Sequence, residues 1–187
     1  MAERREILRD QLHQILPRGA RFIWEVGCGH GHFLTAFARA HPEQTFVGID
    51  IDGDRVNRAD RKRERASLTN LHFIRAEARA FLDVLDRDAC FSAIYVLFPD
   101  PWPKKRHHKH RLMQPEFLRE LATRMAPEAR LFFRTDHLPY FEHAGELLRT
   151  HPDWQVAAAD SWPFEHETVF QSRVPLHYSL VAKLRHP

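Results

Sequence analysis

Three glycines at two-residue intervals, Gly27, Gly29 and Gly31, follow a short apolar run at residues 21–26. Immediately after them Phe33, Leu34, Phe37 and Ala38 recur at helical spacing. A strand, a glycine-bearing turn and a helix in direct succession open a layered α/β fold and leave few other options. Glycine at such a turn permits positive φ and lets backbone amides approach a ligand closely. A purely structural turn explains the bare pattern as well.

The rest of the chain repeats the alternation. Ile7, Leu8, Leu12, Ile15 and Leu16 predict an amphipathic helix over residues 3–16, broken by Pro17 and Gly19. Strands are expected at 45–49, 71–74, 91–98, 131–135, 154–159 and 176–183, besides 21–26. Helices are expected at 54–67, 78–85, 115–125 and 140–149. This predicts a doubly wound, mostly parallel twisted sheet of about seven strands with helices on both faces. No repeat or linker divides the 187 residues, so a single domain over 1–187 is expected, with the helix in 1–18 leading into it.

Bulk composition narrows the setting. A hydrophobic content of 43% supports a substantial core. No apolar run approaches the roughly 20 residues that span a bilayer. Residues 1–16 mix charges of both signs with leucines, unlike a secretory signal. Two cysteines, Cys28 and Cys90, build no disulfide framework and have no partners at metal-ligand spacing. A soluble cytoplasmic protein without membrane attachment or metal is expected.

The glycine spacing and its flanking acids suggest what is bound. A dinucleotide fingerprint needs glycine at position 32, where His32 stands. The run Glu25-Val26-Gly27-Cys28-Gly29-His30-Gly31 instead resembles the first motif of class I S-adenosylmethionine-dependent methyltransferases, whose Rossmann-like fold agrees with the alternation above. Glu25 offers negative charge to a cofactor with a sulfonium and an amino group; a carboxylate capping the following turn is its plain alternative. Asp50 ends the second strand about 20 residues on, where an acid accepts bonds from ribose hydroxyls. Glu77, just past the third strand, faces the adenine in that architecture, or is simply an exposed residue in a helix's first turn.

Beyond the fourth strand lies a loop dense in proline and cations. Phe98-Pro99-Asp100-Pro101-Trp102-Pro103 is stiffened just where function concentrates in such sheets, and Asp100 between two prolines is held in a restricted backbone. Residues 104–111, KKRHHKHR, contain no acid, although the formal net charge is only +3. Such a run neutralises phosphates in a salt-sensitive way, or is a solvated face. Adjacent His107, His108 and His110 do not readily close a tetrahedron, which argues against zinc.

Phe98 to Arg111, followed by Arg111-Leu112-Met113-Gln114-Pro115-Glu116-Phe117-Leu118 and Thr135-Asp136-His137-Leu138-Pro139-Tyr140, resembles the bacterial tRNA (guanine-N7-)-methyltransferases over about Phe22 to Arg173. That resemblance implies S-adenosylmethionine as cofactor and tRNA as partner. It assigns cofactor contacts to Glu25, Gly27, Gly29, Gly31, Asp50, Glu77 and Asp100, with Asp100 also the catalytic candidate. Substrate contacts fall to Lys104, Asp136 and a late motif aligned with Thr168, Gln171 and Arg173. There the family has glutamate and this chain has glutamine. A carboxylate accepts both N1–H and N2–H of guanine, whereas Gln171 offers one acceptor and one donor. Two rivals follow: a divergent paralogue methylating another RNA or a small molecule, and a non-catalytic protein that binds cofactor or RNA.

Overall fold

The computed structural model describes residues 2–166, 171–172 and 176–185. Seven strands form one sheet: β1 (Arg21–Val26), β2 (Phe46–Asp50), β3 (Leu71–Arg75), β4 (Cys90–Leu97), β5 (Met125–Thr135), β6 (Trp154–Val156) and β7 (Tyr178–Leu184). Their order is β3-β2-β1-β4-β5-β7-β6. The first five run parallel, and β7 is antiparallel to both β5 and β6. The helices are α1 (Ala2–Ile15), α2 (His32–Ala40), α3 (Gly53–Arg65), α4 (Ala78–Val84), α5 (Pro115–Ala122) and α6 (Leu138–Thr150). Strand order reverses between β1 and β4, so a crevice opens outside the C-terminal ends of those strands.

Central strands are apolar on both sides because helices cover both faces. Alternation along β1 sends Phe22, Trp24 and Val26 into one apolar cluster with α1, α4, α5 and α6, and Ile23 into another with α2. Trp24 lies stacked between Phe81 and Phe91, with ring centroids 4.9 and 5.0 Å away. In the second cluster Phe33 and Phe37 pack on Tyr95, which stacks on Phe132 at 4.6 Å. By the same alternation Glu25 shares the α2 side with Ile23, the one charged position in β1's buried stretch.

Several boundaries differ from the sequence reading: the strand expected at 154–159 ends at Val156, and the helix expected to reach 125 ends at Ala122. The strand expected at 131–135 begins at Met125, which pairs with Phe91. Polar and proline residues at 127–128 hide this extension from any periodicity. The basic run, expected as loop, contains a 3₁₀ turn over Lys105–His110.

Candidate functional site

The turn after β1 is built from backbone. Gly27, Gly29 and Gly31 have φ of 77°, 54° and 67°, the left-handed region that side chains resist. The amides of Gly27 and Cys28 both donate to the Ile49 carbonyl at 2.9 Å, tying the turn to β2. Two kinds of glycine are present. A Cβ on Gly31 would collide with Phe73 and come within 2.8 Å of Ala59, so Gly31 is required by packing. A Cβ on Gly27 or Gly29 would meet nothing within 4 Å. Open space therefore borders the first two glycines.

Asp50 fixes that turn from the end of β2. One carboxylate oxygen accepts the Gly29 amide at 2.9 Å and the other accepts the Asp52 amide at 2.9 Å. Asp52 in turn caps α3 by accepting from the amides of Asp54 and Arg55. Each Asp50 oxygen keeps a lone pair for a further donor. Glu77 is exposed and caps α4, its Oε2 accepting the Ala80 amide at 3.1 Å, a role not read from the sequence. Ile51 is 68% exposed at the end of β2, an apolar platform that sequence reasoning missed. It borders a cavity of about 1030 Å³ that also touches Phe73, Ala76 and Glu77.

Glu25 is the outlier. It is 3% exposed, and its Oε2 has no hydrogen-bond partner. Burial, and then the charge of Asp50, push its carboxyl up to about 8. A buried carboxylate without a cation carries a large desolvation cost. An ammonium or sulfonium beside it supplies the missing charge, and the open side of Gly27 and Gly29 supplies room. The residues therefore fit the cationic end of S-adenosylmethionine. Tyr95, paired with Glu25 in register, is also fully buried with an unpartnered hydroxyl.

On the other side of the strand-order reversal the loop after β4 is strained. Phe98 and Trp102 have φ of 49° and 44°, uncommon for bulky residues and worth roughly 1–3 kcal/mol each. The loop is held from outside: the Phe98 amide donates to the Arg134 carbonyl at 2.7 Å, and Arg111 Nε donates to the Pro101 carbonyl at 2.8 Å. Arg111 itself lies over the Tyr140 ring at 4.7 Å, and the Tyr140 hydroxyl accepts the Met113 amide at 3.1 Å. Trp102 packs on His107 and His110. Asp100, Lys104 and Asp136 are exposed at this edge.

A second clamp was not foreseen. Arg134, buried at the end of β5, grips Glu165 through both terminal nitrogens at 3.0 and 2.8 Å and lies 4.0 Å over the Trp162 ring. Its Nε donates to Ser179 Oγ. The signal was an arginine inside the apolar run 131–135. This clamp seats residues 162–165 against β5 and β7, ahead of the late motif.

Glu25, Asp50, Glu77, Asp100, Lys104 and Asp136 thus come from five parallel strands or the loops at their C-terminal ends. Gln171 is half-buried, while Thr168 and Arg173 lie outside the described residues. Among the described residues, no three His, Cys, Asp or Glu are grouped as metal ligands, and no helix is long and apolar enough to cross a membrane.

Comparison with known proteins bears on the family and the fold. A family model described as "Putative methyltransferase" matches residues 20–175. The tRNA (guanine-N(7)-)-methyltransferase of Chromohalobacter salexigens is 36% identical, over 88% of this chain and 70% of the relative. That of Syntrophotalea carbinolica is 40% identical, over 63% of this chain and 51% of the relative. The chain therefore spans about half to 70% of the length of these relatives. Among solved structures, precorrin-6y C5,15-methyltransferase from Geobacter metallireducens matches with a TM-score of 0.59 at 13% identity, covering 99% of this chain and 87% of that one, a likeness of fold.

Proposed function

The chain belongs to the tRNA (guanine-N(7)-)-methyltransferase family, and we propose on that premise that it binds S-adenosylmethionine and methylates N7 of a guanine in tRNA. The observation that carries the reading is the buried Glu25 carboxyl, its Oε2 without a partner, at the end of the strand that leads into the open turn of Gly27 and Gly29. No inorganic anion or dinucleotide phosphate suits such a place, whereas a cation does.

When bound, S-adenosylmethionine supplies an electrophilic methyl group on its sulfonium. Glu25 holds the cationic end, Asp50 accepts from ribose hydroxyls with its remaining lone pairs, and Ile51 with Glu77 receives the adenine. Guanine N7 has a free lone pair and no proton to lose, so the chain's task is alignment rather than base catalysis. Holding two reactants in line is worth on the order of 7–11 kcal/mol. Asp100, fixed between Pro99 and Pro101, performs that alignment where the two ligands meet. Lys104 holds RNA backbone, and Asp136 with Thr168, Gln171 and Arg173 receives the base. The activity belongs to one cytoplasmic domain.

The test is methyl transfer from labelled cofactor to unmodified tRNA, with the product nucleoside identified. Asp100→Ala is expected to lower turnover at least a hundredfold; full activity in the variant removes Asp100 from the mechanism. Gln171 in place of the family's glutamate favours a second reading, an acceptor other than guanine in tRNA. Higher turnover on tRNA in Gln171→Glu, together with wild-type activity on another nucleobase or small acceptor, would establish it.

A further inference from the structure

Arg111 looks like the last cation of an exposed run, yet it is 3% exposed. Its Nε bonds the Pro101 carbonyl and its face lies on Tyr140, but its Nη2 is buried without a partner. Among the described residues no carboxylate pairs with it. A guanidinium removed from water and given no anion is an incomplete arrangement, because the desolvation cost is unopposed.

Two imidazoles beside it share the defect. His108 lies one 3₁₀ turn earlier, its carbonyl accepting from the Arg111 amide at 3.1 Å and from Gln114 Nε2 at 2.8 Å. His143 follows Tyr140 by three residues on α6, on the same helix face, with the Met113 backbone within hydrogen-bonding reach. His108 Nε2 and His143 Nε2 are both buried and unpartnered. Burial, and then the proximity of Arg111 and His108, hold the His143 imidazolium below its usual range. The nearby acid is Asp100, which is felt at the Tyr140 ring but stays exposed. The Arg111 Nη2 donor and two imidazole Nε2 atoms, each a donor only when it carries the proton, are thus left without partners between the basic turn and α6.

We propose that Arg111, His108 and His143 form a built oxyanion site that receives one phosphate of the RNA backbone. A tetrahedral phosphate has acceptors for the guanidinium and for each imidazole once its Nε2 is protonated, and its charge favours that protonation and answers the buried guanidinium. The site differs from the exposed Lys104, Lys105, Arg106 and Lys109, which attract RNA diffusely, because Arg111 is held in place by Tyr140 and Pro101. It therefore fixes the register of the RNA on the loop that carries Asp100. The inference rests on the proposed action on tRNA.

Two measurements on the whole chain test it. In the first, protein with ¹⁵N-labelled histidine is titrated with inorganic phosphate at constant ionic strength; the His108 and His143 ring nitrogens are expected to shift together and saturably, and not in Arg111→Lys. Absence of a shift in the wild-type protein overturns the site. In the second, the affinity for unmodified tRNA is followed against salt. His143→Ala and Arg111→Gln are each expected to weaken binding about tenfold and to flatten the log–log salt slope by about one. His143→Lys restores the slope, which a merely structural role of His143 does not predict. Unchanged slopes with intact phosphate binding assign the site to a free anion and overturn the RNA phosphate. If the wild-type protein binds phosphate here yet methylates no tRNA, the proposed activity fails and the anion site stands apart from it.

Discussion

The two halves of the sheet edge solve opposite problems. On the β1–β2 side, bulky side chains are absent from the positive-φ positions and Asp50 spends a bond from each oxygen on backbone amides. That side is relaxed, and the Glu25 carboxyl is its one buried acid with an oxygen left without a partner among the described residues. On the β4–β5 side, Phe98 and Trp102 occupy positions that favour glycine, and Arg111 is buried without an anion. Under the proposed function the contrast teaches that the small ligand meets a finished cradle, while the polymer completes an unfinished one.

The largest expected effect probes the one unmet charge on the relaxed side. Because the Glu25 carboxyl is raised to about 8 from an ordinary 4.5, the folded state holds a proton that the unfolded chain has lost. Its contribution to stability is whole below about pH 4.5 and is lost as pH rises toward 8. Glu25→Gln is therefore expected to be more stable than wild type at pH 8, by on the order of 3–5 kcal/mol, with little difference at pH 4.5. Urea unfolding at both pH values measures this; parallel shifts would break the assignment. Cofactor binding near pH 7 is expected to release a proton from Glu25, seen by calorimetry in buffers of different ionisation enthalpy.

Next in size, Gly31→Ala adds a collision with Phe73 and Ala59 to a positive φ. A loss of about 2–4 kcal/mol is expected from overpacking and backbone strain. Gly27→Ala has only the backbone term, roughly 1–2 kcal/mol, so the two urea midpoints should separate. Asp50→Ala leaves the Gly29 and Asp52 amides without their acceptor, and costs about 2 kcal/mol along with cofactor affinity.

The smallest stability effects belong to the strained side. Asp100→Ala and Lys104→Ala lie on exposed positions and are expected to stay within about 0.5 kcal/mol of wild type. Methyl transfer falls sharply in the first, and the salt dependence of tRNA binding weakens in the second. A large stability loss in either variant would erase the division between the two halves.

Much of the relaxed side was legible in the sequence because it is written in backbone requirements. Glycine at 27, 29 and 31, and acids at strand ends, follow from periodicity and turn chemistry alone. The strained side was legible only as composition. Arginine at the end of a basic run reads as solvated, and nothing local says that Arg111 meets Tyr140 some 29 positions later. The early start of β5 was hidden for a similar reason: Met125 is extended because Phe91 pairs with it, not by its own neighbours. Ile51 is the reverse case, apolar in sequence and yet exposed.

The strand order carries a further consequence, for how the molecule is made. β6 touches the sheet only through β7, which is inserted between it and β5. During synthesis β6 leaves the ribosome first and has no hydrogen-bonding neighbour until β7 arrives, while the edge of β5 stays open. Closing that edge waits for the C-terminal strand and is therefore late in vectorial synthesis. The same closure seats Ser179 against Arg134, so the Arg134 clamp is completed with the last step of assembly. A nascent chain can thus complete the turn between β1 and β2, the proposed cofactor cradle, before it can complete the β5–β7 edge.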